Sequence, residues 1–248
     1  MISLRIRLLF ALALPTASAA VHASPSSGEW EWMVAPYIWA AGVDTDLDTI
    51  VPPSQVTNST AFSDIFDKLD GAFQVHAEAQ GDQFGAFIDF TYIGLSDGSE
   101  RRFFRTESDL DSRLFEAAAV WSPGVERGIG FETFAGLRMI ETDLTFQLIP
   151  ADPAIPRATV DVDERFDEFM LGIRYTFPMS ERWSVTLRGD GSWGDTEGTW
   201  NASAVAHYRT RNGGWFFGYR HLDIDVEVRN ALLNVTMSGP AVGYGFRF

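Results

Sequence analysis

The chain contains no cysteine, which removes both a disulfide framework and any thiolate metal site. Lysine is almost absent as well. Lys68 is the only one, the other basic residues are arginines, and the formal net charge is −15. So acidic a chain lacks the basic footprint that nucleic-acid binding needs. Beyond the N-terminus no run approaches the roughly 20 apolar residues of a spanning helix, so a helical membrane protein is excluded. That exclusion does not reach strands, whose lipid-facing residues are hidden from a hydropathy window by alternation.

The N-terminus reads as an export signal. Arg5 and Arg7 supply charge, residues 8–14 (LLFALAL) an apolar stretch, and small residues offer cleavage after Ala19 or, as preferred here, after Ala23. Residues 1–23 are then a signal peptide, 24–29 a polar periplasmic linker, and 30–248 a single β-domain, a size that suits one barrel or sandwich.

Period two dominates what remains. At residues 242–248 the side chains Val242, Tyr244, Phe246 and Phe248 alternate with Gly243, Gly245 and Arg247, so one strand face is apolar and the other small or charged. The same pattern recurs in pairs around short polar turns at 81–83, 122–128, 178–182 and 209–214, the last with an Asn212-Gly213 hairpin signal. Large aromatics stand at the turn end of these segments: Trp30, Phe84, Trp121, Phe131, Phe177, Trp183, Tyr208, Trp215 and Phe248. A soluble sandwich has no reason to place them there, whereas a membrane barrel uses such a girdle at the interface. The expected fold is therefore all-β, a single antiparallel up-and-down transmembrane β-barrel of about ten strands, with eight or twelve as alternatives. Long connections are expected at the opposite, outer end, at 41–70, 96–109, 148–159 and 226–230. Within the first, Phe62, Ile65, Phe66 and Leu69 fall at helical spacing and predict a short amphipathic helix. Pro36 and Pro240 lie in the first and last strands, which pair when a barrel closes, and a local bulge is expected beside them.

The segments Pro36-Tyr-Ile-Trp-Ala-Ala-Gly, Phe62-Ser-Asp-Ile-Phe-Asp-Lys-Leu-Asp, Gly218-Tyr-Arg-His-Leu-Asp-Ile-Asp and Ser238-Gly-Pro-Ala-Val-Gly-Tyr-Gly-Phe-Arg-Phe resemble a large group of proteobacterial outer-membrane β-barrel proteins with no assigned activity. The resemblance spans most of the chain. It implies a fold and a location in the Gram-negative outer membrane after Sec-type export, and carries over no catalytic residue. The final strand with its terminal Phe248 is of the kind the barrel-assembly machinery reads, which makes that machinery, outer-membrane lipid and lipopolysaccharide the expected partners.

The faces left for the lumen carry both charges. Glu78, Asp89, Glu116, Glu132, Glu168 and Asp190 stand against Arg138, Arg174, Arg188, Arg220 and Arg247, with His76 on the same faces. In a narrow barrel they are expected to pair and fill the interior. Asp44, Asp46 and Asp48 invite a calcium reading, but Thr49 and Gln55 occupy the places where an EF-hand loop needs Gly and Glu. With Asp109/Asp111, Asp161/Asp163 and Asp223/Asp225 they read better as a solvated acidic rim, open to divalent cations bridging to lipopolysaccharide phosphates. No cofactor is expected. The histidines outside the signal peptide are His76, His207 and His221. Ser203 and His207 are four apart on one strand, too far for a hydrogen bond, and His221 has Asp223 but no serine elbow, so no enzyme is expected. The favoured function is an outer-membrane barrel with a largely filled, ion-paired lumen and a structural or surface-exposed role. The alternatives are a narrow pore or transporter for small solutes gated by the 61–69 helix and, more remotely, a lipid-modifying enzyme that would depend on His221.

Overall fold

The computed structural model describes residues 29–50, 53–100, 104–124, 128–152, 156–228 and 231–248. The signal peptide expected at 1–23 and all of the linker but Glu29 lie outside them. The elements are β1 (Glu31–Trp39), β2 (Gly42–Ile50), β3 (Pro53–Thr60), α1 (Phe62–Phe66), β4 (Leu69–Gln80), β5 (Phe84–Glu100), β6 (Phe104–Trp121), β7 (Gly130–Pro150), β8 (Ala158–Pro178), β9 (Trp183–Gly194), β10 (Gly198–Thr210), β11 (Gly213–Val228) and β12 (Ala231–Arg247). β1 and β4 to β12 form a closed antiparallel barrel of ten strands, sealed by β1 against β12. The remaining pair, β2 and β3, is a hairpin added to β12 beyond β1.

The outward face is apolar through the lower wall. Val34, Ile38, Ile88, Leu137, Phe169, Leu171, Ile173, Leu187, Phe217 and Val242 are exposed there, a continuous surface that water would not tolerate and hydrocarbon solvates. The nine aromatics named above lie at the turn end, Tyr208 partly buried against Trp183 and the others exposed. A second set, Trp193 and Trp200, faces outward at the other edge of the belt. Trp193 is ten residues beyond Trp183 on β9, which at about 3.3 Å per residue and a tilt of about 40° spans roughly 25 Å, the height of a barrel's apolar band.

Above that level the wall continues but its polarity inverts. On β11 the outward positions run Phe217, Tyr219, His221, Asp223, Asp225 and the inward ones Arg220, Leu222, Ile224, Val226, the last three buried. β7 changes in the same way, from outward Leu137 and inward Arg138 to outward Glu141 and Asp143 and inward Ile140. Parity along a strand is fixed, so the change lies in the solvent: the lower wall stands in hydrocarbon and the upper wall in water.

This inversion corrects the expected outer loops. Most of 96–109 is the upper part of β5 and β6, 148–150 and 158–159 are the ends of β7 and β8, and 226–228 is the end of β11. The 41–70 stretch is mainly the β2–β3 hairpin. Its alternating aspartates read as loop because the acidic face of a water-exposed strand looks like solvated coil. The helix there is real but shorter than expected, with Ile65 buried and Phe66 exposed.

The prolines have a different role from a bulge. β1 and β2 keep one register along β12, from Met33↔Arg247 through Trp39↔Ala241 to Gly42↔Ser238. Trp32 exchanges hydrogen bonds with Phe248, and Ala40 N–H donates to Pro240 O, so even-numbered residues of β1 face β12. Pro36 and Pro240 therefore both turn their missing donor into the closing seam, which loses ladder bonds without a register shift. The register shift that does occur is in β4–β5, between Leu69 and Gly71.

Substituting Leu171→Arg in the middle of the apolar belt is expected to cost about 2–4 kcal/mol, against about 0–1 for Thr145→Arg, which shares the outward parity of Glu141 and Asp143 in the upper wall. Urea unfolding in lipid vesicles checks the difference.

Candidate functional site

From the turn end upward, the lumen is built in layers. A vestibule of ≈ 320 Å³ opens first, lined among others by Glu31, Arg247, His207 and Tyr37. Arg247 Nη1 lies 3.1 Å from Glu31, a partner that the alternation also puts inside but that the sequence reading did not single out. Next, Arg174 sits between Glu78 and Glu132, and Gln80 Nε2 donates to Glu132 Oε1 at 2.6 Å. His76 Nδ1 is 3.1 Å from Asp89 Oδ2 and its Nε2 3.4 Å from Glu78 Oε2, so carboxylates occupy both ring nitrogens. Tyr37 OH donates to Asp89 Oδ1 at 2.7 Å.

The central layer is the densest. Glu116 Oε1 accepts from Arg138 Nη2 at 2.7 Å and Arg220 Nη2 at 2.9 Å, while Oε2 accepts from Arg188 Nη2 at 3.0 Å. Asp190 accepts from Arg138, from Arg188 Nε at 2.7 Å and from Asn201 Nδ2 at 2.8 Å. Asn201 Oδ1 in turn takes Arg220 Nε at 2.9 Å. Aromatic faces complete the solvation of the guanidinium groups: Arg188 lies 4.8 Å from the Phe134 ring centroid and 5.1 Å from that of Phe87, and Arg220 lies 4.9 Å from that of Trp39. Gly172 makes room, since a Cβ there would strike both the Phe134 ring and Asp190 Cβ.

One expected pairing takes another form. Glu168, read as part of an ion-pair network, is held by hydroxyls: Ser192 Oγ at 2.6 Å, Thr199 Oγ1 at 2.8 Å, and Thr196. Ser192 links it to Arg138, whose Nη1 donates to Ser192 Oγ at 2.7 Å. Short hydroxyls on β9 and β10 reach a carboxylate on β8 because those strands are neighbours in register (Met170↔Ser192, Thr199↔Ser192). Strand alternation puts them inside, but residue type alone does not advertise them as partners.

Above this layer the interior is apolar, which corrects the expectation of an ion-paired lumen throughout. Trp39, Ala41, Leu114, Ile140, Leu222, Ile224 and Val226 form a buried cluster, with Phe166, Val235 and Met237 against it. A second cavity, ≈ 120 Å³, lies among them.

The remaining candidates fall elsewhere. His221 points outward, its ring 4.5 Å from that of Trp200 and its Nε2 buried with no partner among the described residues, so it does not share the lumen with Ser203 or His207. Asp44 and Asp46 lie on β2, and the Asp48 side chain lies outside those described. Among the described residues no three His, Asp or Glu side chains come together as a metal would need. Repulsion from Asp143, its cross-strand partner in the upper wall, holds the Asp163 carboxyl above its usual range.

No protein-family model and no curated protein sequence matches the chain. Solved structures do. The outer membrane protease OmpT of Escherichia coli aligns over 92% of this chain and 100% of its own at a TM-score of 0.52 and 9% identity, a likeness of fold. The translocator domain of the autotransporter NalP of Neisseria meningitidis aligns over 91% of this chain and 90% of its own (TM-score 0.44, 12% identity). The attachment invasion locus protein Ail of Yersinia pestis aligns over 90% of this chain and 100% of its own (TM-score 0.39, 8% identity).

Arg138→Met leaves Glu116 and Asp190 buried with less compensation, an expected loss of about 3–5 kcal/mol. Arg113→Met removes a half-exposed arginine bonded to Glu141 and Asp143 in the upper wall, an expected loss of under about 1 kcal/mol. Parallel urea titrations in vesicles separate the two.

Proposed function

We propose that this protein is an outer-membrane β-barrel of a Gram-negative bacterium whose lumen is sealed, and that its role is structural or surface-presenting. The observation that carries the reading is the central layer: Glu116, Arg138 and Glu168 are 0%, 1% and 2% exposed and bridge β6, β7 and β8 to β9, β10 and β11 across the interior. An ion crossing at this level would have to break several charge-assisted hydrogen bonds among buried groups. The outward apolar belt between aromatic edges supports the membrane location, with the turn end in the periplasm. Outer-membrane lipid and lipopolysaccharide are the partners of this reading, with divalent cations between the acidic upper wall and lipid phosphates. A catalytic role has little to stand on, because His76 has both nitrogens engaged and His221 faces away from the lumen.

Refolded residues 24–248 are expected to insert into a planar bilayer without discrete conductance steps. Reproducible steps whose ion selectivity changes on Arg174→Gln would reject the sealed lumen and favour the pore.

A further inference from the structure

The barrel wall is not hydrogen-bonded all the way up between β1 and β4. Their ladder runs from Glu31↔Gln80 to Pro36↔Val75 and stops. β4 continues upward bonded only to β5, and the β1 line finds its next partner on that edge at Val43↔Thr60, in β3. Between these points one bond among the described residues bridges the gap: Trp39 N–H donates to the side-chain oxygen of Gln74, which is itself buried. The gap opens at the upper edge of the apolar belt, where Ile38 and Phe73 face outward at 61% and 54% exposure. α1, joining β3 to β4, necessarily crosses above it.

Behind the gap lies the ≈ 120 Å³ cavity, whose lining comes from β1, β5, β6, β7, β11 and β12, with none from β4. Its volume is that of a six-membered ring, given that an engineered apolar cavity of about 150 Å³ binds benzene. Ile93, Ile140, Leu222 and Ile224 make it apolar. Trp39 also lines it, and its buried indole N–H has no acceptor among the described residues. An unpaired buried donor is costly, so an occupant able to accept from it is favoured over one that cannot.

We propose that this cavity binds a small, mostly apolar molecule of ring size carrying one hydrogen-bond acceptor, admitted from the bilayer through the β1–β4 gap with Gln74 as its latch. Beneath the cavity Arg220 lies over Trp39 and belongs to the sealed central layer, so the ligand leaves as it came. That the site receives rather than conducts rests on the sealed central layer, whereas binding in the cavity does not depend on the outcome of the conductance measurement.

Cyclohexanone and methylcyclohexane, each of seven non-hydrogen atoms, differ in the acceptor. Each is titrated into protein carrying labelled isoleucine methyls in nanodiscs. Saturable shifts are expected at Ile93, Ile140 and Ile224 but not at outward Ile38 or Ile88, with cyclohexanone bound about five- to tenfold tighter, one net hydrogen bond. Trp39→Phe, which keeps the ring, is expected to abolish that preference. Gln74→Ala is expected to accelerate exchange, read from line shapes, with affinity changed less than twofold. The proposal is overturned by the absence of saturable shifts at the three inward methyls, or by equal, non-saturating shifts at inward and outward ones. Contacts from lipid acyl-chain protons to Ile140 that persist at saturating cyclohexanone would overturn it too, assigning the cavity to a lipid tail.

Discussion

A β-strand alternates its side chains between two faces however far it runs, and in this protein long strands cross from one solvent into another. That constraint orders the rest of the molecule. Below the boundary Leu137, Leu171 and Phe217 face hydrocarbon while Arg138, Arg174 and Arg220 face the lumen. Above it the same faces carry Glu141, Asp163 and Asp223 outside and Ile140, Phe166 and Leu222 inside. The upper wall is built like a small water-soluble barrel set on a membrane one. Its acidic outer face accounts for the clustered aspartates without a dedicated ion site.

The two interiors meet at the Glu116–Arg138–Asp190 layer. Buried charges are expensive, and these remain because each carboxylate takes several donors and each guanidinium is also covered by an aromatic or a polar neighbour. Trp39 is the hinge between the regimes, with Arg220 over its ring and the apolar cluster beside it. A charged layer capped by an apolar one resists water from both sides. The vestibule's lining runs from the turns, at Gly128 and Arg182, up to Arg188 and Arg220 of that layer.

Much of the lower barrel was legible in the chain. The turns at 81–83 and around Asn212, the outward aromatics and the inward Glu116, Arg138, Arg188 and Asp190 all follow from period two once one face is assigned to lipid. Less legible was the upper wall. Asp44-Thr45-Asp46 and its counterparts alternate like strands, but polar-out alternation in a strongly acidic stretch has no apolar outer face to distinguish it from loop. The partners of Glu168 were also hidden, because serine and threonine are common on any strand and become ligands of a carboxylate only through cross-strand register. His221 shows the opposite case, a residue that looked chemical and whose parity puts it on the outer face.

By itself, then, the sequence determined strand parity, the turn end and the composition of each face, because these depend on spacing between neighbours in the chain. Only the tertiary structure decided which charges meet, where the lumen changes from ionic to apolar, and where β1 exchanges β4 for β3. Those depend on register between strands far apart in sequence. A shift of one residue there exchanges every inward side chain for an outward one, so the barrel closes in the register that buries Arg138 with Glu116 and leaves Leu137 to the lipid.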